Sequence, residues 1–317
     1  MIKPKAHAPT KAPVLPEPEF EIPEGADALG AQMKTGDGIE LPYPVLYGQA
    51  HNGNALMEEI GGVRYYGGWV FEKAKADEFL AANNLAVPSI FSKVEKIKPK
   101  TGNAYDAYTT RTLHLAVVAK RFSWHNANTH QRAPQYFDGA RRHLQLVAML
   151  GAANLATKKF DPLFPVVLTI KGYQVAEVYE AFNVWEKATA EQRRALVGQG
   201  KPTPAANLFY MALGTHGEKF VEKSVGKNQQ SPITPFSVVV PEKDKLDKAY
   251  LLARYVGKDV AAQMIGWLNQ SQEWLSVWNK PINEAEANGD APALRQPDAD
   301  TPPMSDGNPE DEVKLPF

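Results

Sequence analysis

Residues 91–145 read FSKVEKIKPKTGNAYDAYTTRTLHLAVVAKRFSWHNANTHQRAPQYFDGARRHLQ and combine the clearest strand pattern of the chain with its densest mixture of cationic and aromatic side chains. Polar and apolar residues alternate over Thr109–Ala119, which predicts a β-strand with Leu113, Leu115 and Val117 on one face. Residues 120–137 have little apolar periodicity, which predicts a ligand-facing loop. From 139 to 157 the spacing of the apolar residues predicts a helix.

The charge of this stretch is positive. Ten lysines or arginines stand against three acids, and seven aromatic residues lie among them. Cations that follow a phosphate backbone, interleaved with rings on which bases stack, are what binding of single-stranded nucleic acid requires. The candidate contacts are Lys93, Lys96, Lys98, Lys100, Arg111, Arg121, Phe122, Trp124, Arg132, Tyr136, Arg141 and Arg142. The alternative is a half-buried strand pair whose aromatic residues are core and whose lysines are solvated.

A second aromatic group lies upstream, in residues 63–71, VRYYGGWVF. The pattern predicts two short strands about the Gly67-Gly68 pair, where glycine permits a bulge or a close backbone approach. Tyr65, Tyr66 and Trp69 are further candidate stacking platforms wherever they lie on the outer face of the sheet. Packing in the core is the alternative for each of them.

The whole chain hides this asymmetry of charge. Its 35 basic and 36 acidic residues nearly cancel. Residues 284–317, however, contain nine acids and two bases, and the first forty residues contain seven acids and four bases, so residues 41–283 carry nine more bases than acids. A basic body between acidic ends is the layout expected of a nucleic-acid binder with a self-repelling or regulatory tail.

Length and composition limit the class of protein. A chain of 317 residues, of which 44% are hydrophobic, can bury a substantial core. The absence of cysteine excludes disulfides and thiolate chemistry and fits a reducing compartment. Neither a membrane-spanning apolar run nor a signal-peptide core is recognisable, so the sequence predicts a cytoplasmic protein without a membrane partner.

The composition divides the chain into three parts. Residues 1–38, rich in proline, lysine and glutamate, and residues 280–317 lack apolar periodicity and are predicted to be a disordered N-terminal arm and a disordered acidic tail. Residues 39–279 are predicted to form a single nucleic-acid-binding domain. Its first segment, 39–47, is predicted to be an edge strand because Pro42 and Pro44 cannot donate hydrogen bonds to a neighbour.

The remaining pattern is one of short strands with interspersed helices. Strands are predicted at 164–171, 207–213 and 234–240, and helices at 73–85, 173–187, 243–256 and 258–278. No regular βαβ repeat is present, which indicates an α+β class. We expect an elaborated OB-like antiparallel β-barrel with interspersed and C-terminal helices, a fold that binds oligonucleotides on a strand face and its loops.

The chain ends in Asn308-Pro309-Glu310-Asp311-Glu312-Val313-Lys314-Leu315-Pro316-Phe317. This ending, after a linker of proline, alanine, aspartate and glycine, resembles the tail of bacterial single-stranded DNA-binding proteins, although Lys314 interrupts a short acidic run. The resemblance covers about the last tenth of the chain. It implies that Leu315, Pro316 and Phe317 form a tip that docks on replication, recombination and repair proteins, with Glu310, Asp311 and Glu312 as its anionic part.

Catalytic motifs are not recognisable in the sequence. It contains no Walker-type phosphate loop, no GxSxG, no HExxH and no EF-hand loop. His125 and His130 are five residues apart with no cysteine nearby, so loop histidines without a ligand explain them more simply than a metal site. We expect no enzyme, no metal and no cofactor, and a protein that coats single-stranded DNA and recruits partners through its tip. The alternative is an adaptor or structural protein that binds other proteins, and homo-oligomerisation stays open.

Overall fold

The computed structural model describes residues 22–26, 29, 41–51, 56–91, 93–98, 103–126, 129, 131–215 and 234–276. The strands are β1 (Leu46–His51), β2 (Glu58–Ile60), β3 (Val63–Tyr65), β4 (Gly68–Glu72), β5 (Lys93–Ile97), β6 (Tyr105–Thr110), β7 (Thr112–His125), β8 (Arg132–Ala133), β9 (Arg141–Asn154), β10 (Lys159–Lys171), β11 (Met211–Gly214) and β12 (Ser237–Val238). The helices are α1 (Lys73–Ala82), α2 (Gln174–Val197), α3 (Lys248–Arg254), α4 (Lys258–Gln270) and α5 (Gln272–Ser276).

One curled ten-stranded sheet organises the described part of the chain, in the order β12-β11-β7-β9-β10-β1-β4-β6-β5, with β8 paired to β7. Strand β1 is parallel to β10, and the other neighbours in this sheet are antiparallel. Strands β6 and β7 are separated only by Arg111. The strand order from β7 through β9, β10, β1 and β4 ends at β6. Because β6 and β7 are consecutive in the chain, the first and last strands of this order are joined, and the sheet curls back toward itself.

The inner face of this curl holds the main core. Side chains at directly paired positions point to the same side of a sheet. Leu146, for example, pairs with Leu168, and both are fully buried. On β4 of the same face, Trp69 and Phe71 are also fully buried. Helix α2 packs against this side because its apolar residues recur at helical spacing, and Lys120 of β7 lies 5.3 Å from the centre of the ring of Tyr179.

Helices α4 and α5 cover one end of the opposite face, which we call the outer face. Met149 of β9 and Pro165 of β10 line a groove with Trp267 of α4. Farther along the sheet, Trp274 of α5 lies over Arg121 of β7. Beyond these two contacts the outer face continues to the start of β9 at Arg141 and the end of β10 at Lys171, which we call its open end.

Strands β2 and β3 form a separate hairpin between β1 and β4. The hairpin turns at Gly61 and Gly62, which both have positive φ angles that glycine adopts without strain. At its base, Leu56 packs with Val70 and Ile97 in a small apolar cluster on the outer face. The hairpin is thus attached at its base and leaves the main sheet toward its tip.

The largest difference from the sequence predictions is β9. A helix was predicted from 139 to 157, whereas Arg141–Asn154 is a fourteen-residue strand paired with β7 on one side and β10 on the other. Leu144, Leu146 and Ala148 alternate with polar or outer-face residues, and two neighbouring strands satisfy both edges of the backbone. The predicted loop at 120–137 likewise begins as the end of β7 and contains β8.

Central elements are longer than predicted, and elements at the edges of the prediction are shorter. Strand β10 begins at Lys159 instead of 164, and α2 extends to Val197, beyond the predicted end at 187. The segment at 39–47 was predicted to be an edge strand; β1 begins only at Leu46 and is internal, between β10 and β4, because both prolines precede it. The predicted strand at 234–240 shrinks to Ser237–Val238.

Shorter elements also replace several predicted ones near the C-terminus. The predicted strand at 207–213 becomes a 3-10 turn at Ala206–Leu208 followed by β11. The helix predicted at 243–256 is α3, and the one predicted at 258–278 divides at Ser271 into α4 and α5. Within the predicted N-terminal arm, Ala26 and Leu29 are buried in the core. Residues 22–25 of that arm are also described, whereas residues 1–21, 27–28, 30–38 and 280–317 lie outside the described residues.

The expected α+β class is confirmed as a curled sheet with few helices. None of the helices in the described ranges is long and apolar enough to cross a bilayer.

Candidate nucleic-acid interface

A continuous row of paired positions crosses the outer face from one side of the sheet to the other. It runs through seven strands as Lys93, Thr109, Val70, Gln49, Thr169, Gln145 and Arg121. At a spacing of about 4.8 Å per strand, the row extends roughly 29 Å. A cation stands at each end, and between Gln49 and Arg121 every side chain is polar.

Hydrogen bonds fix the polar half of this row. The Nε and Nη2 atoms of Arg121 donate to Oε1 of Gln145 at 2.9 and 2.6 Å. Nε2 of Gln145 in turn donates to the hydroxyl of Thr169 at 2.9 Å, and Nε2 of Gln49 donates to the hydroxyl of Tyr105 at 3.2 Å. The two glutamines therefore have defined amide orientations on a half-exposed surface.

A second row lies two residues closer to the open end of the sheet. Ser123 pairs with His143, and His143 pairs with Lys171. On β1, His51 stands two residues beyond Gln49, in the same direction as Lys171 beyond Thr169, and it pairs with Gly68. Arg111 is next to Gly68, since a Cβ at that glycine would be 3.6 Å from the Cα of Arg111. Imidazole and cationic side chains thus follow one another along this row.

The tip of the sheet adds a third set of cations. Strands β8, β7 and β9 place Arg132, His125 and Arg141 at paired positions. His125 also stacks on His143, with ring centres 5.4 Å apart. Strands β7, β9, β10 and β1 together contain six lysines or arginines and one acid, Asp161, which lies near the opposite end of β10. Arg132, Arg141 and Lys171 therefore make the open end of the outer face cationic.

The aromatic candidates Trp124 and Tyr136 lie at the same tip but on the other side of the sheet. The ring of Tyr136 meets that of Trp124 edge-on, with centres 5.0 Å apart. Arg142, paired with Trp124, has its guanidinium 5.6 Å from the Trp124 ring centre. Tyr136 is 40% exposed. Phe122 also touches Trp124 but is buried, so in this conformation it supports the pair instead of presenting its own ring.

Three of the predicted contacts are structural in this conformation. Trp69 and Tyr66 are buried, with Trp69 on the inner face, so neither ring is presented to a base. Arg121 is only 7% exposed, because its guanidinium lies 3.5 Å from the centre of the Trp274 ring and donates to the Trp274 carbonyl at 2.6 Å. Its role here is to orient Gln145 and hold α5, instead of contacting a phosphate directly.

The remaining predicted cations lie apart from the tip. Lys93, Lys96 and Lys98 are exposed on or just after the edge strand β5. Arg111 donates a hydrogen bond to Glu58. Its guanidinium lies 4.3 Å from the centre of the Tyr65 ring, so the predicted contacts Arg111 and Tyr65 touch each other. Lys100 lies outside the described residues, as do the six predicted residues of the C-terminal tip. The structure therefore brings Arg132, Arg141, Arg142, Trp124 and Tyr136 together, with the buried Phe122 against Trp124, and leaves the other described candidates separate.

Several residues of this candidate interface were not singled out by the sequence analysis. They are Gln49, His51, His143, Gln145, Thr169 and Lys171. The signal for two of them was present, because His143-Leu144-Gln145-Leu146 alternates strictly between polar and apolar residues and so predicts a strand. Gln49, His51 and Lys171 have no local signal, since only the parallel pairing of β1 with β10 brings these strands together.

The electrostatics of the second row favour uncharged histidine. Burial is the main cause that lowers the pKa of His143 to about 3, and the neighbouring Lys171, His125, Arg121 and Arg132 contribute to the same shift. Burial also lowers the pKa of His51. The positive charge at this end of the face therefore comes from the lysine and arginine side chains at neutral pH.

This pKa has a consequence for stability. The unfolded chain binds a proton at histidine near pH 6.5, whereas folded His143 has a pKa of about 3, so the unfolded state holds the extra proton between these values. The stability that depends on neutral His143 is complete above pH 6.5 and is lost as the pH falls toward 3. We expect the free energy of unfolding to fall by roughly 3 kcal/mol between pH 7 and pH 4 from this residue. In urea titrations across that range, His143→Gln should show a shallower decline, and an unchanged decline would contradict the assignment.

No group of three or more histidine or acidic side chains suited to a metal ion occurs within the described ranges. Comparison of the chain with protein-family models, with curated protein sequences and with solved structures returned no match.

Proposed function

We propose that this protein is a non-catalytic single-stranded DNA-binding protein, and that the strand lies across the open end of the outer face. The observation that carries the proposal is the juxtaposition of Arg132, His125 and Arg141 with His143 and Lys171, on strands that have almost no acids. The three cations of this group, Arg132, Arg141 and Lys171, would follow the phosphates. Trp124 and Tyr136, at the edge of the same tip, would stack on bases that turn around it.

The topology supports an OB-like interpretation of the curl. Segment 105–125, which contains β6 and β7, pairs with β4 at its start and with β9 at its end. This segment together with β9, β10, β1 and β4 therefore gives five strand positions around the curl. OB-folds are five-stranded, partly open barrels that bind oligonucleotides on a strand face and its flanking loops. Here the hairpin β2–β3 and the connection containing β8 flank the proposed face at the same end. That arrangement also favours nucleic acid over the alternative of an adaptor that binds only proteins.

A direct test compares a labelled oligo-dT with a duplex of equal length at two salt concentrations. Because unpaired bases are needed for stacking and several phosphates are neutralised, we expect tighter binding to the single strand and a steep loss of affinity with salt. Fluorescence anisotropy measures both quantities. Equal or tighter binding to the duplex would contradict the proposal.

We further propose that the C-terminal residues have two separable roles. Deleting residues 284–317 removes nine acids and two bases, so oligo-dT binding should tighten, most at low salt where charges are weakly screened. Deleting only Leu315–Phe317 removes no side-chain charge and should leave oligo-dT affinity nearly unchanged while abolishing capture of a replication or repair protein from the native host. If the short deletion leaves every captured partner in place, the tip has no docking role.

A further inference from the structure

An acidic side chain lies beside the open end of the outer face, next to the last position of the second row. Glu58, on the hairpin strand β2, accepts a hydrogen bond from Nε of Arg111 at 2.5 Å. This bond is the main reason why the pKa of Glu58 is lowered, and the charge of Lys93 contributes in the same direction. The Arg111 guanidinium also lies over the ring of Tyr65 on β3. Arg111 thus holds both strands of the hairpin.

The hydrogen bonding of Arg111 is incomplete. Its Nη1 and Nη2 atoms are buried and have no hydrogen-bond partner within the described ranges, while Glu58 uses only Nε. A guanidinium offers five N–H donors in a planar fork that fits the oxygens of a phosphate. A buried donor without a partner carries a desolvation cost, so a ligand with more acceptor oxygens than one carboxylate would be favoured at this position.

The position is continuous with the proposed interface. Arg111 adjoins Gly68, which pairs with His51 at the end of the second row. Lys93 is the end of the first row. In that row Val70, which belongs to the small apolar cluster with Leu56 and Ile97, stands between Lys93 and the polar half of the face. A strand that crosses the open end and continues past His51 therefore reaches Arg111 and Lys93 next.

We propose that Arg111 and Lys93 form a second phosphate subsite, and that Glu58 occupies it in the free protein as a carboxylate substitute for phosphate. Binding of a sufficiently long strand displaces Glu58 and releases the hairpin β2–β3 from Arg111. This inference rests on the proposed single-strand binding and adds to it a competition within the chain. Short strands that stay at the open end would not disturb Glu58.

The test uses Glu58→Gln, with Glu59→Gln as its matched control. Both substitutions remove one negative charge from β2, but Glu59 forms only an exposed 3.6 Å ion pair with Arg64. OB-folds occupy about 4–16 nucleotides, so dT4 and dT16 bracket the reach of the face. We expect Glu58→Gln to tighten dT16 binding about fivefold at low salt and to leave dT4 binding unchanged. Glu59→Gln should change dT16 binding less than twofold.

A double-mutant cycle with Arg111→Gln completes the test. Without the guanidinium there is nothing for Glu58 to compete for, so adding Glu58→Gln to Arg111→Gln should give no gain with dT16. Equal effects of the substitutions at 58 and 59, or a gain that persists without Arg111, would overturn the subsite while leaving the open end as the interface. If neither the unmodified protein nor any of the variants binds dT16, the proposed single-strand binding is wrong, and the proposed subsite is wrong as well.

Discussion

Replacing Trp69 with alanine is expected to lower the free energy of unfolding by about 3–5 kcal/mol. The side chain is fully buried, and its Nε1 donates to the carbonyl of Leu213 on β11 at 3.0 Å. Its ring packs edge-on against Phe236, with centres 4.7 Å apart. Alanine would leave a cavity and remove this hydrogen bond at the place where β4 approaches β11. A loss of this size is a large part of the 5–15 kcal/mol typical of a domain, and urea denaturation followed by fluorescence or circular dichroism measures it.

Trp69→Phe separates this structural role from the stacking role that the sequence suggested. Phenylalanine keeps most of the apolar volume but removes the hydrogen bond to the Leu213 carbonyl, a cost of about 0.5–1.5 kcal/mol. Because the ring faces the core, oligo-dT affinity should equal that of the unmodified protein wherever the variant is folded. A folded Trp69→Phe protein with impaired oligo-dT binding would show that Trp69 contacts nucleic acid after all.

Reversing the charge of Arg141 and Lys171 together is expected to weaken oligo-dT binding about 100-fold, since each lost charge-assisted contact is worth roughly 1.4 kcal/mol. Both side chains are exposed, and they flank His143 at the open end of the face. The slope of log affinity against log salt should also fall by about 1.4, or about 0.7 for each phosphate contact removed. Anisotropy titrations of Arg141→Glu/Lys171→Glu at several salt concentrations give both values.

The same two strands provide the control. Lys158 and Lys159 are exposed at the opposite end of the β9–β10 hairpin, about 40 Å away at the usual rise per residue. Lys158→Glu/Lys159→Glu changes the net charge equally but lies far from the proposed face, so it should weaken binding only a few-fold. Equal losses in the two double variants would mean that net charge, and not this surface, determines affinity.

The sequence predicted the parts of the fold that depend on local pattern. The alternation after Thr109 located β7, and the helical spacing of Val178 and Trp185 located α2. The wrong prediction of a helix at β9 has a physical cause. The strand is buried on its inner face and partly covered by α4 on its outer face, so its sequence is a continuous apolar run from Leu146 to Leu150. Such a run fits a buried helix as well as a central strand until its neighbours are known.

Composition located the cationic region but could not rank its members. Arg111, Arg121 and Arg141 are equivalent in a count of charges, yet the first holds a hairpin, the second lies under Trp274, and the third is exposed. What distinguishes them is which chain segment folds over each residue, and that depends on contacts distant in sequence. Glu58 and Trp274 are 53 and 153 residues away from the arginines that they contact.

The parallel pair of β1 and β10 constrains the order in which the protein folds. Leu46 pairs with Val166, 120 positions later, so β1 has no partner on that side until β10 has been made. Strands β7, β9 and β10 are consecutive antiparallel neighbours and require only local connections. Contacts between distant segments form slowly because the entropy of closing the intervening chain is lost first. We therefore expect refolding to begin with β7, β9 and β10 and to finish with the docking of β1. During synthesis on the ribosome, residues 41–72 have no β10 to pair with until about a hundred more residues have been added, at 5–20 residues per second.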